Sequence, residues 1–155
     1  MLEEQLLESW HIHVRINLFM LEAIDPAAFA QPALKKGRSF AQILAHIHNV
    51  RLMWLQAASK ELPEGVIKIE KGQETDKALL QQALAASGAA IGHMVAQRLA
   101  EGKRVPGFKP HTPAFISYLI AHEAYHHGEI GLALADIGYK LDAKTAMGLW
   151  DWGSR

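Results

Sequence analysis

The sequence predicts an all-α protein, an up-down four-helix bundle with a short fifth helix near its C-terminal end. Apolar residues recur at helical spacing in four segments of roughly 20 residues each. The breaks between these segments are short and contain proline and glycine. The chain has 155 residues, half of them hydrophobic. This size and composition suit a single domain, residues 1–155, with a substantial core.

The first two long helices have recognisable boundaries. Helix one is predicted from about Leu2 to Ile24, where Asp25-Pro26 ends it. Helix two is predicted to begin after Ser39, because Ser39–Gln42 fits a capping box, and to end before Leu62-Pro63. Its apolar stripe consists of Phe40, Ile43, Ile47, Val50 and Trp54.

The second half of the chain predicts two more long helices and a short one. Helix three is expected over about Thr75–Ala100. Helix four is expected to begin with Thr112 as its N-cap and Pro113 at its first position, and Gly138 closes it. A fifth helix is expected from about Asp142 to Trp150.

Composition excludes several classes of site. Lys and Arg together number 16, as do Asp and Glu, and this balance argues against binding to nucleic acid or a membrane surface. The absence of cysteine excludes thiolate metal sites and fits a cytoplasmic protein. The opening MLEEQLLESW is unlike a signal peptide. A transition metal would therefore be held by His, Asp or Glu.

Two histidines on helix four suggest a metal site. His122 and His126 are four residues apart, so both side chains leave the same face, and they lie on an apolar stripe between Leu119 and Ile130. An unsatisfied buried polar group costs roughly 1–3 kcal/mol, and a metal ion would satisfy both imidazoles. The alternative is a pair of core histidines that bond to protein groups. We favour the metal.

A third ligand has to come from another helix. At about 100° per residue, His46 lies roughly 80° from the centre of the helix-two stripe and His48 roughly 120°. We therefore predict His46 and keep His48 as the alternative. His13 and Asn17 on helix one are within reach of a site inside the bundle, but we expect them to face solvent.

The segment HEAYH, residues 122–126, also matches the H-E-x-x-H motif of zinc proteases, with Glu123 as the general base. The rest of the protease pattern is missing. Glu129 and Leu132 stand where the metzincin motif requires Gly and His, and no E-x-x-x-D follows. An H-E-x-x-H metalloprotease is therefore the least favoured reading.

Together, LAHIHNVRLMWL and AHEAYHHGEIGLALADIG resemble the DinB/YfiT-like family, proteins often described as metal-dependent hydrolases. His46 matches the family's histidine in the second helix, and His122 and His126 match its H-x-x-x-H pair. Gly128 and Ile137-Gly138 also match. The sequence departs from the family where Arg is usual, at His127, and where Gln is usual, at Glu129.

The resemblance implies a four-helix bundle with a three-histidine divalent metal site, often zinc or nickel, with open coordination positions. It implies that the protease match is incidental. Many members form dimers, so a homodimer is expected, and some relatives transfer low-molecular-weight thiols. The family name refers to induction by DNA damage and does not indicate DNA binding.

The expected function is that of a metal-dependent enzyme, either a hydrolase or a low-molecular-weight thiol transferase, acting on a small molecule such as a thiol. The catalytic candidates are Glu123 and Glu129, and Tyr125 and His127 are further groups that can carry protons. One alternative is a non-catalytic metal-binding or sensor module, which predicts a closed site. Another is a helical interaction protein without metal.

Overall fold

The computed structural model describes all 155 residues and contains no β-strand. The predicted all-α class is confirmed. Four long helices match the predicted ones within two residues at each end, except that the second ends at Ala58, three residues before Glu61, the predicted limit. The short α2, directly after Asp25, was not predicted. The α-helices are α1 (Leu2–Ala23), α2 (Pro26–Phe29), α3 (Phe40–Ala58), α4 (Lys77–Ala100), α5 (Thr112–Asp136) and α6 (Ala143–Gly148), and single 3-10 turns span Gln73–Thr75 and Trp152–Ser154.

The start of α3 is fixed by the predicted capping box. The Ser39 hydroxyl accepts a hydrogen bond from the Gln42 backbone N–H, and the Gln42 side chain accepts one from the Ser39 N–H. These two bonds satisfy donors that the first helical turn leaves unpaired. The box therefore sets where α3 begins, and with it the rotation of every side chain along the helix.

The start of α5 differs from the prediction. His111 is the N-cap, with its Nδ1 accepting a hydrogen bond from the Ala114 N–H. The Thr112 hydroxyl instead donates to the Lys103 carbonyl oxygen at 2.7 Å, which ties down the preceding loop. At the other end Gly138 adopts a φ of +87° and closes the helix as predicted.

The core consists of two apolar clusters with a layer of buried polar side chains between them. The first cluster contains Met20, Phe40, Leu44, Leu80 and Leu134, and the second contains Trp10, Leu52, Ile91, Phe115 and Leu119. The polar layer consists of His13, Asn17, His48, Arg51, Ser87, Glu123 and His126.

The order of the clusters along each helix gives its direction. α3 and α4 both run from the first cluster to the second, whereas α1 and α5 run the opposite way. The predicted up-down alternation is therefore wrong for α4. The connection of residues 59–76 explains why, because it returns along the core, placing Val66 in the second cluster and Ile69 in the first. None of the helices is long and apolar enough to cross a lipid bilayer.

Candidate metal centre

Three histidines converge between α3 and α5. His46 comes from α3, and His122 and His126 come from successive turns of α5. One nitrogen from each ring lies within 4.8 Å of the other two. The His46 ring packs edge-on against both partners, with ring centroids 5.4 Å from His122 and 4.9 Å from His126. The structure thus brings together the three residues that the sequence singled out.

The geometry of the cluster suits a divalent cation. The Nε2 atoms of His122 and His126 are 3.3 Å apart. Two nitrogens bound tetrahedrally to one zinc ion at about 2.0–2.1 Å are separated by roughly 3.3 Å. In both rings the other nitrogen, Nδ1, is buried and has no hydrogen-bond partner. Three imidazoles without a thiolate form a donor set that suits zinc, nickel and similar ions.

The electrostatics of the cluster keep two of its histidines, His46 and His126, in the neutral form that binds metal. Burial, the Arg38 guanidinium and the two other histidines lower the pKa of His46 from 6.5 to about 4. Burial and the neighbouring His122 also lower the pKa of His126. At neutral pH these rings carry free lone pairs, and metal binding need not displace protons from them.

Glu129 places a carboxylate beside the cluster. It lies one turn beyond His126 on α5, and its Oε2 is 3.6 Å from the His126 Nδ1. A histidine that binds metal through one nitrogen usually presents the other to a carboxylate or carbonyl group. Tyr125, another predicted proton carrier, is 70% exposed, and its ring centroid lies 5.3 Å from that of His126.

A polar cleft of about 380 Å³ opens beside His46. Arg38, Gln42, Asn49 and Lys71 are among the residues that line it. His46 and His122 are half-buried, and the site lies near the protein surface. Of the three histidines only His46 lines this cleft, which therefore borders the cluster on the side of α3.

His48, the alternative third ligand, does not join the cluster. Its Nδ1 lies 3.0 Å from the Ser87 hydroxyl, and its Nε2 donates to the Ile67 carbonyl oxygen at 2.6 Å. The ring is fully buried and both nitrogens have protein partners. His48 therefore ties α3 to α4 and to the long connection between them.

Glu123, a predicted catalytic candidate, also lies outside the cluster. Its Oε1 accepts a hydrogen bond from the Arg51 Nε at 2.7 Å, and its Oε2 accepts one from Nη2 at 2.8 Å. Burial would raise the pKa of this carboxyl, but the charge and hydrogen bonds of Arg51 hold it at about 2. The general base of an H-E-x-x-H protease must lie beside the metal. Here the matching glutamate belongs to a buried ion pair.

The other residues that contact Glu123 form a buried polar group with it, and most of them were not predicted from the sequence. His13 and Asn17 were expected to face solvent, but they are 2% and 0% exposed. Both bond to Glu123, the His13 Nε2 at 2.8 Å and the Asn17 Nδ2 at 2.9 Å. Arg51 was not predicted to be buried, although a charged residue four positions after Ile47 lies on the apolar stripe and requires a buried partner.

His127 also belongs to this buried polar group, because it contacts Asn17. Its Nε2 lies 2.8 Å from the Asn17 Oδ1. Burial and the nearby His13 lower the pKa of His127 from 6.5 to about 4. His127 therefore points toward α1, away from the three-histidine cluster, although it directly follows His126 in sequence.

The sequence as a whole matches one family model, that of the DinB family, over residues 1–152. No curated protein and no solved structure matches the chain.

Proposed function

The chain belongs to the DinB family, and we propose that it is a divalent-metal-dependent enzyme whose zinc or nickel ion is held by His46, His122 and His126. The observation that carries the proposal is the convergence of three ring nitrogens within 4.8 Å, with one of the three rings, His46, in the wall of an accessible cleft. The reaction we propose is hydrolysis or transfer of a low-molecular-weight thiol.

The helix contacts support a four-helix bundle around this site. α1 and α3 each contact both α4 and α5. With α3 and α4 running one way and α1 and α5 the other, we propose an up-down-down-up bundle. In this arrangement the polar layer lies at mid-height, where α3 and α5 place the three histidines opposite each other.

The donor set favours catalysis over a purely structural role. Structural zinc sites are usually closed by four protein ligands, whereas catalytic sites have three and an open position. When bound, a cation held by three neutral imidazoles retains its full charge and supplies Lewis acidity to a water or thiol. Glu129 is placed to orient His126 and to accept a proton near the site.

The rival function is a non-catalytic metal-binding or sensor module. Such a module predicts a cation sealed from small molecules. The cleft beside His46 favours the enzyme, because it allows a substrate of modest size to approach the α3 side of the cluster. We propose a small molecule, with thiols as the first class to test.

Cobalt substitution distinguishes an open site from a closed one. The metal-free protein is loaded with Co²⁺, and β-mercaptoethanol is then titrated in while the near-ultraviolet spectrum is recorded. We expect a sulfur-to-cobalt charge-transfer band, because an open coordination position admits the thiol. Methanol, which lacks the sulfur, is the matched control and should give no such band.

A Co²⁺-loaded protein whose spectrum is unaffected by the thiol would contradict the enzyme proposal and support the closed module. The chain has no cysteine, so the band cannot come from the protein itself. In the His46→Ala variant the band should be lost together with the cobalt.

A further inference from the structure

A second cleft lies on the other side of α5. It has a volume of about 590 Å³ and is enclosed by α1, α5 and the C-terminal segment. Most of its lining is apolar. Lys140 is its one basic residue apart from the histidines, and no aspartate or glutamate lines it. Its walls include Ile16, Leu132, Leu149, Trp150 and Trp152.

This cleft is separate from the three-histidine cluster. The α5 residues in its lining include Ala124, Gly128, Gly131 and Ala135. At about 100° per residue these positions face roughly opposite to His122 and His126. A molecule bound in this cleft would therefore not reach the proposed metal ion.

The imidazole of His13 offers the cleft a hydrogen-bond acceptor. Its Nε2 must donate to Glu123, because an ionised carboxylate only accepts. In the neutral ring Nδ1 carries the lone pair. This Nδ1 has no hydrogen-bond partner in the protein, and His13 is one of the residues that line the cleft, although its side chain is 3% exposed.

His127 offers a second acceptor beside the first. The Asn17 amide nitrogen donates to Glu123 and to the His13 carbonyl oxygen, which leaves its Oδ1 as an acceptor. The His127 Nε2 therefore donates to Oδ1, and Nδ1 of the neutral ring keeps its lone pair. The rings of His13 and His127 are stacked, with centroids 5.7 Å apart.

Two glycines of α5 keep the cleft open. Glycine inside a helix is less favourable than alanine by about 1 kcal/mol. A Cβ added at Gly128 or Gly131 would meet no atom within 4 Å, so packing within this chain does not require glycine at either position. The missing side chains leave this space to the cleft, whose lining includes both glycines and both imidazoles.

We propose that this cleft binds a small, largely apolar molecule that carries an O–H or N–H donor at one end, such as a phenol or an alcohol. The donor bonds to the Nδ1 of His127, which is less buried than His13, and the apolar body lies against Trp150 and Leu132. The single lysine and the lack of a carboxylate in the lining favour a neutral ligand over a polyanion or a cation. The site is independent of the proposed metal function.

The test compares two probes that differ by one donor, para-propylphenol and its methyl ether, para-propylanisole. Binding is followed by tryptophan fluorescence, because Trp150 and Trp152 line the cleft, and by the imidazole nitrogen resonances of His13 and His127. We expect the phenol to bind about tenfold more tightly than the ether, since one buried acceptor is satisfied only by the phenol. The Nδ1 resonances should shift with the phenol alone.

Two variants locate the site. Gly131→Leu should abolish binding of both probes, and the open space at this position means that it should fold normally. His127→Leu should lower phenol affinity about tenfold toward that of the ether, without changing ether binding. His93→Leu, at an exposed histidine, and His46→Ala, at the proposed metal site, should leave both affinities unchanged.

Three results would overturn the proposal: equal affinity for phenol and ether, phenol binding that survives Gly131→Leu, or no binding by the wild-type protein. In the last case sedimentation velocity shows whether a second copy of the chain covers the cleft instead. Because His46→Ala removes only the proposed metal site, failure of one proposal is distinguishable from failure of the other.

Discussion

The Nε2 atoms of His122 and His126 lie 3.3 Å apart on successive turns of α5. Two imidazole nitrogens at this distance either share one proton or present both lone pairs to one cation. The Nδ1 atoms of the same rings are buried without hydrogen-bond partners, and the His46 ring packs edge-on against His126. A cation accounts for all three rings at once, whereas a shared proton accounts for two.

Glu129 should support metal affinity without being a ligand. Glu129→Gln removes the carboxylate charge 3.6 Å from the His126 Nδ1, and we expect zinc affinity to fall by about tenfold or more. Competition with a chromophoric chelator measures this. Asp136→Asn, at an exposed carboxylate of the same helix, is the matched control. Equal affinities in the two variants would show that Glu129 has no such role.

The buried pair of Glu123 and Arg51 should dominate stability at mid-core. Glu123→Gln leaves the Arg51 charge buried without a partner, so the free energy of unfolding should fall by roughly 3–5 kcal/mol in urea titrations. Glu8→Gln is the matched control, since Glu8 and Arg15 form an ion pair of similar length, 2.9 Å, on the surface. There we expect a loss of about 0–1 kcal/mol. Similar losses in both variants would contradict the burial argument.

The metal-free protein should become less stable as the pH falls below about 6.5. Burial and His13 hold the pKa of His127 at about 4 in the folded state, against 6.5 in the unfolded chain. Between these two pH values only the unfolded chain binds the proton. The contribution of His127 to stability is therefore fully present above about pH 6.5 and is lost as the pH falls to about 4. At about pH 5 the protonation of this histidine in the unfolded chain lowers the free energy of unfolding by on the order of 2 kcal/mol.

Urea titrations in the presence of a chelator measure this slope. His127→Gln retains a donor for Asn17 but does not titrate, so its stability should depend less on pH than that of the wild type. His93→Gln, at an exposed histidine, should retain the wild-type slope. Identical slopes in all three proteins would rule out His127 as the source.

Gly88 should be needed for the close packing of α1 against α4, because a larger residue there would clash with Val14. A Cβ at Gly88 would lie 2.7 Å from the Val14 Cγ1, so Gly88→Ala should destabilise the protein by about 1–3 kcal/mol. Gly131→Ala meets nothing within 4 Å and should stabilise it by about 1 kcal/mol through helix propensity. Thermal unfolding of the two variants gives the comparison. A shift of the same sign in both would contradict the packing account.

Helix boundaries were predictable because their signals are local. The capping box at Ser39 and the left-handed Gly138 each depend on a few neighbouring residues. Helix direction was not predictable, because apolar periodicity is the same for a helix that runs up or down. The return of the chain over residues 59–76 depends on Val66 and Ile69 packing against two different clusters, which no local pattern shows.

The candidate site was predictable for a related reason. The spacing of His122 and His126 and the rotation of His46 follow from helix geometry alone. The partners of Glu123 were not predictable, because Arg51 and His13 come from two other helices. A buried polar residue can be recognised on an apolar stripe, but its partner across the core depends on how the helices pack.

The most direct test of the central claim is the metal content of purified, tag-free protein after reconstitution with zinc or nickel, measured by mass spectrometry. We expect about one ion per chain in the wild type and in His93→Ala, and a loss of most of it in His46→Ala and His126→Ala while circular dichroism shows that both remain helical. Full metal content in the folded His46→Ala and His126→Ala variants, or none in the wild type, would contradict the three-histidine site.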